Sequence, residues 1–212
     1  MLFRSTGLYI NPRRRASAPT GLRACVSSWT RTSDNAIPIR LKSGSNYQNG
    51  RLATLQAKAD GYDTPILLNQ SGTVAEGTGA TFFMVRRGTL LTPPLTADIL
   101  ESITRTTLLQ DVIPDLRLDV QEREIARTEL YVADEAFLCG SGYEITPVLS
   151  IDKFPMGSGE VGSMSAASDR YVMARSNSLT RRAHSPSRYR APARSIPRSW
   201  SPKRLKYCLF SS

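Results

Sequence analysis

Histidine is almost missing from this chain. The single one, His184, falls in an Arg/Ser/Pro-rich C-terminal stretch, so the remainder has none to serve in a catalytic triad, a His-rich metal site or imidazole acid–base chemistry. Cysteine is scarce too. Cys25, Cys139 and Cys208 are odd in number, far apart and without metal-ligand spacing, which predicts reduced thiols in a cytoplasmic protein, with no disulfide staple and no metal. No apolar run approaches the roughly 20 residues of a membrane span. The longest are strand-sized, such as Ile66 to Leu68 and Phe82 to Val85, and no membrane partner is expected. Acidic residues are absent from residues 1 to 33 and again from 176 to 212, which hold six and nine Lys and Arg residues. The formal charge of +10 therefore sits in the two ends, while acids outnumber bases between them. Such a distribution gives the body no basic stripe, so nucleic acid is not expected as its partner, although an Arg/Ser-rich tail on an inactive scaffold is the alternative that would bind RNA.

What is present is enough for one domain: 212 residues, 40% of them hydrophobic. Residues 1 to 20 form a basic leader of the composition seen in transit peptides, interrupted by Pro12 and Pro19. Strands are predicted at Arg23 to Ser28, Pro65 to Leu68, Thr73 to Ala75, Thr81 to Val85, Thr89 to Leu91, Leu116 to Glu122, Ala136 to Cys139 and Ile145 to Ile151. Helices are predicted at Asn46 to Lys58, with Leu52, Leu55 and Ala59 as its apolar face, at Ser102 to Val112, and at Thr128 to Ala133 with Thr128 as cap. This irregular mixture reads as α+β. Past Gly162 the pattern decays: Asp169 to Arg175 suits a last helix, and residues 176 to 212 hold seven Arg, nine Ser and four Pro, a composition expected to be disordered.

With histidine excluded, lysine becomes the nucleophile to consider, and the body holds only Lys42, Lys58 and Lys153. An isolated lysine is ordinarily a solvated surface charge. Lys42 differs in context, because it precedes Gly44 and an Asn46-Tyr47 helix start. From an irregular segment at a strand end it can project inward, where desolvation favours the neutral, nucleophilic amine. Glu76 alone would read as a turn acid, Tyr47 as a core tyrosine, Ser102 to Thr104 as a helix cap and Gly140 to Gly142 as a turn.

Several strings occur together in one order: Val26-Ser-Ser-Trp29, Asn35-Ala-Ile-Pro38, Lys42-Ser-Gly-Ser-Asn-Tyr47, Val74-Ala-Glu-Gly-Thr-Gly79, Thr92-Pro-Pro94, Ile99-Leu-Glu-Ser-Ile-Thr-Arg105, Glu129-Leu-Tyr-Val-Ala-Asp-Glu135 and Gly140-Ser-Gly-Tyr-Glu-Ile-Thr-Pro147. Together they resemble the branched-chain amino acid aminotransferases, fold type IV enzymes dependent on pyridoxal 5'-phosphate (PLP). The resemblance covers residues 21 to 162, about two-thirds of the chain. It implies the large cofactor-binding domain of the D-amino acid aminotransferase-like α+β fold, with the small N-terminal domain missing before Gly21 and a degenerate C-terminal helix at 163 to 175. It implies transfer of the amino group between Leu, Ile or Val and 2-oxoglutarate, with amino acid and 2-oxo acid substrates and a homodimer in complete relatives. A D-amino acid aminotransferase or an aminodeoxychorismate lyase is the alternative within the fold.

By position, the resemblance makes Lys42 the lysine joined to the cofactor and the carrier of the substrate's Cα proton. Tyr47 becomes the tyrosine bonded to the cofactor's phenolic oxygen, and Glu76 the acid paired with the ring nitrogen. Leu100 packs against the ring, and Ser102, Ile103 and Thr104 form the phosphate turn at a helix N-terminus. Ser141 supplies a second phosphate hydroxyl, and Ser141 with Gly142 faces the substrate carboxylate.

Overall fold

One alternating strand separates two cores. Along Phe82-Phe83-Met84-Val85, the first and third side chains enter one buried cluster and the second and fourth enter another, as the two-residue period of a strand requires. The computed structural model describes residues 20–172. The basic leader to residue 19 and the tail from 176, with His184 and Cys208, lie outside those residues.

In chain order the elements are β1 (Leu22–Thr30), a 3-10 turn (Gly44–Tyr47), α1 (Gln48–Ala59), β2 (Thr64–Leu68), β3 (Val74–Gly77), β4 (Thr81–Arg86) and β5 (Thr89–Thr92). There follow α2 (Ile103–Thr107), a π turn (Leu108–Val112), α3 (Ile113–Asp115), β6 (Val120–Glu122), a 3-10 helix (Arg127–Val132), β7 (Glu135–Gly140), β8 (Glu144–Ile151) and β9 (Phe154–Pro155). A helix over residues 163–172 ends the described part. Among the described residues no helix is long and apolar enough to cross a membrane.

All nine strands join one sheet in the order β3-β2-β1-β8-β7-β4-β5-β6, with β9 beside β8. β1 is parallel to β2 and to β8, and α1 makes the crossover that a parallel pair needs. The outermost strand β3 runs straight into β4 through Thr78 and Gly79, where Gly77 and Ala80 exchange backbone hydrogen bonds. The sheet thereby curls back on itself. Its concave side holds Ile66, Val74, Phe82, Leu138 and Val148 from five strands. Its other side packs Phe83, Val85 and Phe137 against Leu108, Val112 and Ile113 of the α2–α3 segment, with Phe83 and Phe137 stacked at 5.1 Å.

Four local expectations are corrected. The buried face of α1 is Gly50, Ala53 and Ala57, whereas Leu52 and Leu55 are 40% and 57% exposed. Small residues face inward because the helix lies close to the turn after β3: a Cβ on Gly50 would sit 3.0 Å from Thr78 Cγ2, and Thr54 Oγ1 bonds Thr78 Oγ1 at 3.0 Å. The strand expected from Leu116 shrinks to β6. Leu116 and Arg117 instead close the preceding helix, with Arg117 in the left-handed region at φ 53 and the Leu118 N–H reaching back to the Ile113 carbonyl. The segment near Thr128 is a 3-10 helix starting after Ala126, whose N–H donates to the Glu129 carboxylate at 3.1 Å, so Thr128 is not its cap. The last helix begins at 163, where the resemblance placed a C-terminal helix, and not at Asp169, where the local pattern alone suited one. Its first N–H groups, from Met164 and Ser165, donate to the carboxylate of Glu135 on β7, a cap supplied from a distant strand.

Candidate active site

Where β1 leaves the sheet, the Arg31 N–H still bonds the Leu68 carbonyl at 2.7 Å, so the residue is fixed beside the end of β2. The chain then turns at Asn69, whose side chain accepts the Thr73 N–H at 3.0 Å, and returns as β3. This hairpin carries Glu76 to Arg31. Their side chains meet at 2.8 Å, 7% and 8% exposed. The other Glu76 oxygen accepts the Leu100 N–H at 3.1 Å. Burial pushes the Glu76 carboxyl up to about 7 against the opposing pull of Arg31 and the Leu100 N–H. A carboxylate held this way is ready to ionise if a second cation reaches it.

From the same arginine a second contact runs the other way. Arg31 Nη1 donates to the Asn46 carbonyl at 3.1 Å, and the Asn46 side chain donates to the carbonyls of Pro38 and Leu41 at 3.1 and 2.8 Å. Lys42 lies in the loop so closed, and its side chain is exposed instead of projecting inward as expected, because this loop runs over the surface outside any strand or helix. Tyr47, one residue past Asn46, is 39% exposed. Its ring lies 3.9 Å from where a Cβ on Gly79 would be, and its phenol is held above its ordinary range, chiefly by burial and next by the nearby Glu76 charge. Gly79 has φ +77, a backbone that disfavours any side chain. Gly140 comes equally close to the same turn, since a Cβ on it would lie 3.3 Å from the Gly79 carbonyl.

Of the residues singled out in the sequence, Tyr47, Glu76 and Leu100 are thus linked by contact or direct charge interaction. Ser102, Ile103 and Thr104 follow Leu100 at the start of α2. The Ser102 hydroxyl caps that helix by accepting the Arg105 N–H at 3.4 Å, Thr104 is half-buried and Ile103 is 58% exposed. Ser141 and Gly142 occupy the exposed turn between β7 and β8, directly after the Gly140 that abuts Gly79. Lys42 joins the group through Asn46 and Arg31 rather than by a contact of its own. Glu76 is a buried strand residue, not a solvated turn acid, and Tyr47 is partly open, not core.

Sequence reasoning missed Arg31 and Asn46. The signal for Arg31 was present in principle: a carboxylate placed in a strand of apolar and small residues requires a cation, and Arg31 follows β1 directly. Arg105 was also overlooked as a support. It is 4% exposed and donates to the Pro93 carbonyl at 2.9 Å and to Glu122 at 2.6 Å, which ties the start of α2 to β6.

Known proteins share this arrangement of elements. A family model described as amino-transferase class IV matches residues 5–151. A probable branched-chain-amino-acid aminotransferase of Aquifex aeolicus is 48% identical over 142 residues, 67% of this chain and 46% of that protein. The branched-chain-amino-acid aminotransferase of Escherichia coli K12 is 40% identical over the same shares. The crystal structure of the branched-chain amino acid aminotransferase from Thermobaculum terrenum in its PLP form superposes with a TM-score of 0.70 at 48% identity, covering 73% of this chain and 50% of that one. The chain spans about half the length of the curated relatives it matches.

Proposed function

This chain belongs to the class IV aminotransferase family, and from that membership we propose that it carries the cofactor-binding part of a PLP-dependent transaminase acting on Leu, Ile, Val and 2-oxoglutarate. The observation that carries the reading is the buried Glu76 carboxylate, raised to about 7 and met by a single arginine, beside Tyr47, Leu100 and the start of α2. These residues fit PLP. A protonated ring nitrogen is the second cation that would ionise Glu76, and a phenol held in its neutral form is a donor for the cofactor's phenolic oxygen.

When bound, PLP supplies an electron-accepting ring for the charge left when the substrate Cα loses its proton. The chain's own residues do the rest. Glu76 would keep the ring nitrogen protonated, and Tyr47 would hold the cofactor's phenolic oxygen by a hydrogen bond. Leu100 packs against its face. The backbone N–H groups at the start of α2, with the hydroxyls of Ser102 and Thr104, take the phosphate, and Ser141 adds a further hydroxyl. Ile103 lies within that turn. Gly142 and Ser141 face the substrate carboxylate. Lys42 accepts the Cα proton and returns it, which requires the neutral amine. Residues 21 to 162 form the cofactor-binding unit in this reading, and the complete protein is a cytoplasmic homodimer. The free, buried thiols of Cys25 and Cys139 support a reducing compartment.

The test is borohydride reduction of the PLP-treated chain, followed by peptide mapping. Label on Lys42 is expected. Label confined to Lys58 or Lys153 would remove Lys42 from its role.

A further inference from the structure

Two buried side chains outside the set named from the sequence connect the two reactive parts of the candidate site. Arg31 spans them: Nε lies 2.8 Å from Glu76 Oε1, and Nη1 donates to the Asn46 carbonyl at 3.1 Å. Asn46, itself 7% exposed, closes the loop ahead of it by donating to Pro38 and Leu41. Backbone bonds continue the closure on both sides of Lys42, from the Ser43 N–H to the Leu41 carbonyl at 2.7 Å and from the Asn46 N–H to the Ser43 carbonyl at 3.1 Å. No strand or helix includes Lys42, so these bonds are what holds its backbone. The contacts Glu76 to Arg31, Arg31 to Asn46 and Asn46 to Leu41 end one residue from the lysine.

We infer that Arg31 and Asn46 are positioning residues that tie the Lys42 loop to the Glu76 carboxylate, so that proton carrier and ring-nitrogen acid are set at a fixed separation. This inference rests on the reading of Lys42 as the cofactor lysine. Each side chain has the chemistry the bridge demands. A guanidinium presents rigidly spaced N–H groups that reach acceptors on two different elements, whereas a single ammonium holds one of them well. A carboxamide has two N–H donors for two carbonyls; an aspartate of the same shape would turn an oxygen toward each of them.

Arg31→Lys and Asn46→Asp therefore break the bridge in different places. The first keeps a positive charge against Glu76, and the second leaves the Arg31–Glu76 pair untouched. In the full-length chain with PLP as probe, brief borohydride trapping at one fixed pH gives the ratio of label on Lys42 to label on Lys58. Each variant is expected to lower that ratio about tenfold, the loss for roughly one charge-assisted hydrogen bond. Lys58 labelling itself should not change. Without PLP, trypsin should cut after Arg40 and Lys42 about tenfold faster in both variants, since the loop opens more often. If Arg31→Lys loses its fold by circular dichroism, Asn46→Asp decides alone. A wild-type ratio and wild-type trypsin rates retained in the folded variants would overturn the inference. A wild-type ratio of one would instead overturn Lys42 as the cofactor lysine, and the trypsin rates would then decide whether the bridge holds the loop.

Discussion

Glu76 and Glu129 both sit in contact with arginine, and they have opposite fates. Glu129, in the 3-10 helix after β6, is gripped by Arg123 at 2.7 and 3.0 Å and by Arg86 at 2.9 Å, and it accepts the Ala126 N–H. Its carboxyl is held down to about 2, first by the Arg123 hydrogen bonds. Glu76 is buried more deeply and has one arginine, and burial wins, leaving it at about 7. The difference separates a structural charge cluster from a site. Glu129 has its charge already satisfied and has no remaining use for a cation, whereas Glu76 is short of one. Perturbed acids of the second kind, placed where several loops meet, are the ones to associate with chemistry.

The comparison is sharpened most by removing Arg31. Arg31→Met leaves Glu76 buried with no cation, which should cost about 3 to 5 kcal/mol at pH 8.5. At pH 5.5 the neutral carboxyl tolerates burial and the loss should shrink; urea unfolding at the two pH values measures both. A loss independent of pH would mean that packing, not charge, dominates. Next in size is Glu76→Gln. A raised acid contributes stability that is present below its unfolded value near 4.5 and lost as pH rises through about 7. Wild type should therefore lose up to about 3 kcal/mol over that window relative to the variant, at ~1.4 kcal/mol for each tenfold change in proton affinity. Parallel stability curves would contradict a raised Glu76. Glu129→Gln should cost least, about 1 to 2 kcal/mol at pH 7 after allowance for its partial exposure. Here the sign reverses: the lowered acid contributes above about 4.5 and loses its contribution as pH falls toward 2, so the gap between Glu129→Gln and wild type should narrow on acidification. Thermal unfolding across that range checks it.

Much of the fold was legible because its signals are local. The alternation through Phe82 to Val85 and the Arg87-Gly88 turn, whose φ values of 53 and 79 suit a tight hairpin, need no distant partner to be read. The face of α1 was misread because hydrophobicity suggests Leu52 and Leu55. What decides is how close the helix lies to Thr78, where a Cβ on Gly50 would sit 3.0 Å from the Thr78 Cγ2. The local pattern hid the start of the last helix for a similar reason, since its cap, Glu135, is 28 residues from Ser163. In the candidate site, Tyr47, Glu76 and Leu100 were readable from motifs, and the fold brings them together. Asn46 was not, and Arg31 only as the cation a strand acid requires, because the bridge between them exists only once β1, β3 and the Lys42 loop are brought together.

In the proposed reading Glu76 is an acid in need of a cation that PLP would provide. Carboxylate NMR titration of Glu76 in the full-length chain, first alone and then saturated with PLP, tests it most directly. Alone, Glu76 should titrate near 7; with PLP bound, its midpoint should fall well below that as the ring nitrogen supplies the second positive charge. A midpoint near the ordinary 4.5 without cofactor, or one near 7 that does not move when PLP binds, would contradict the account.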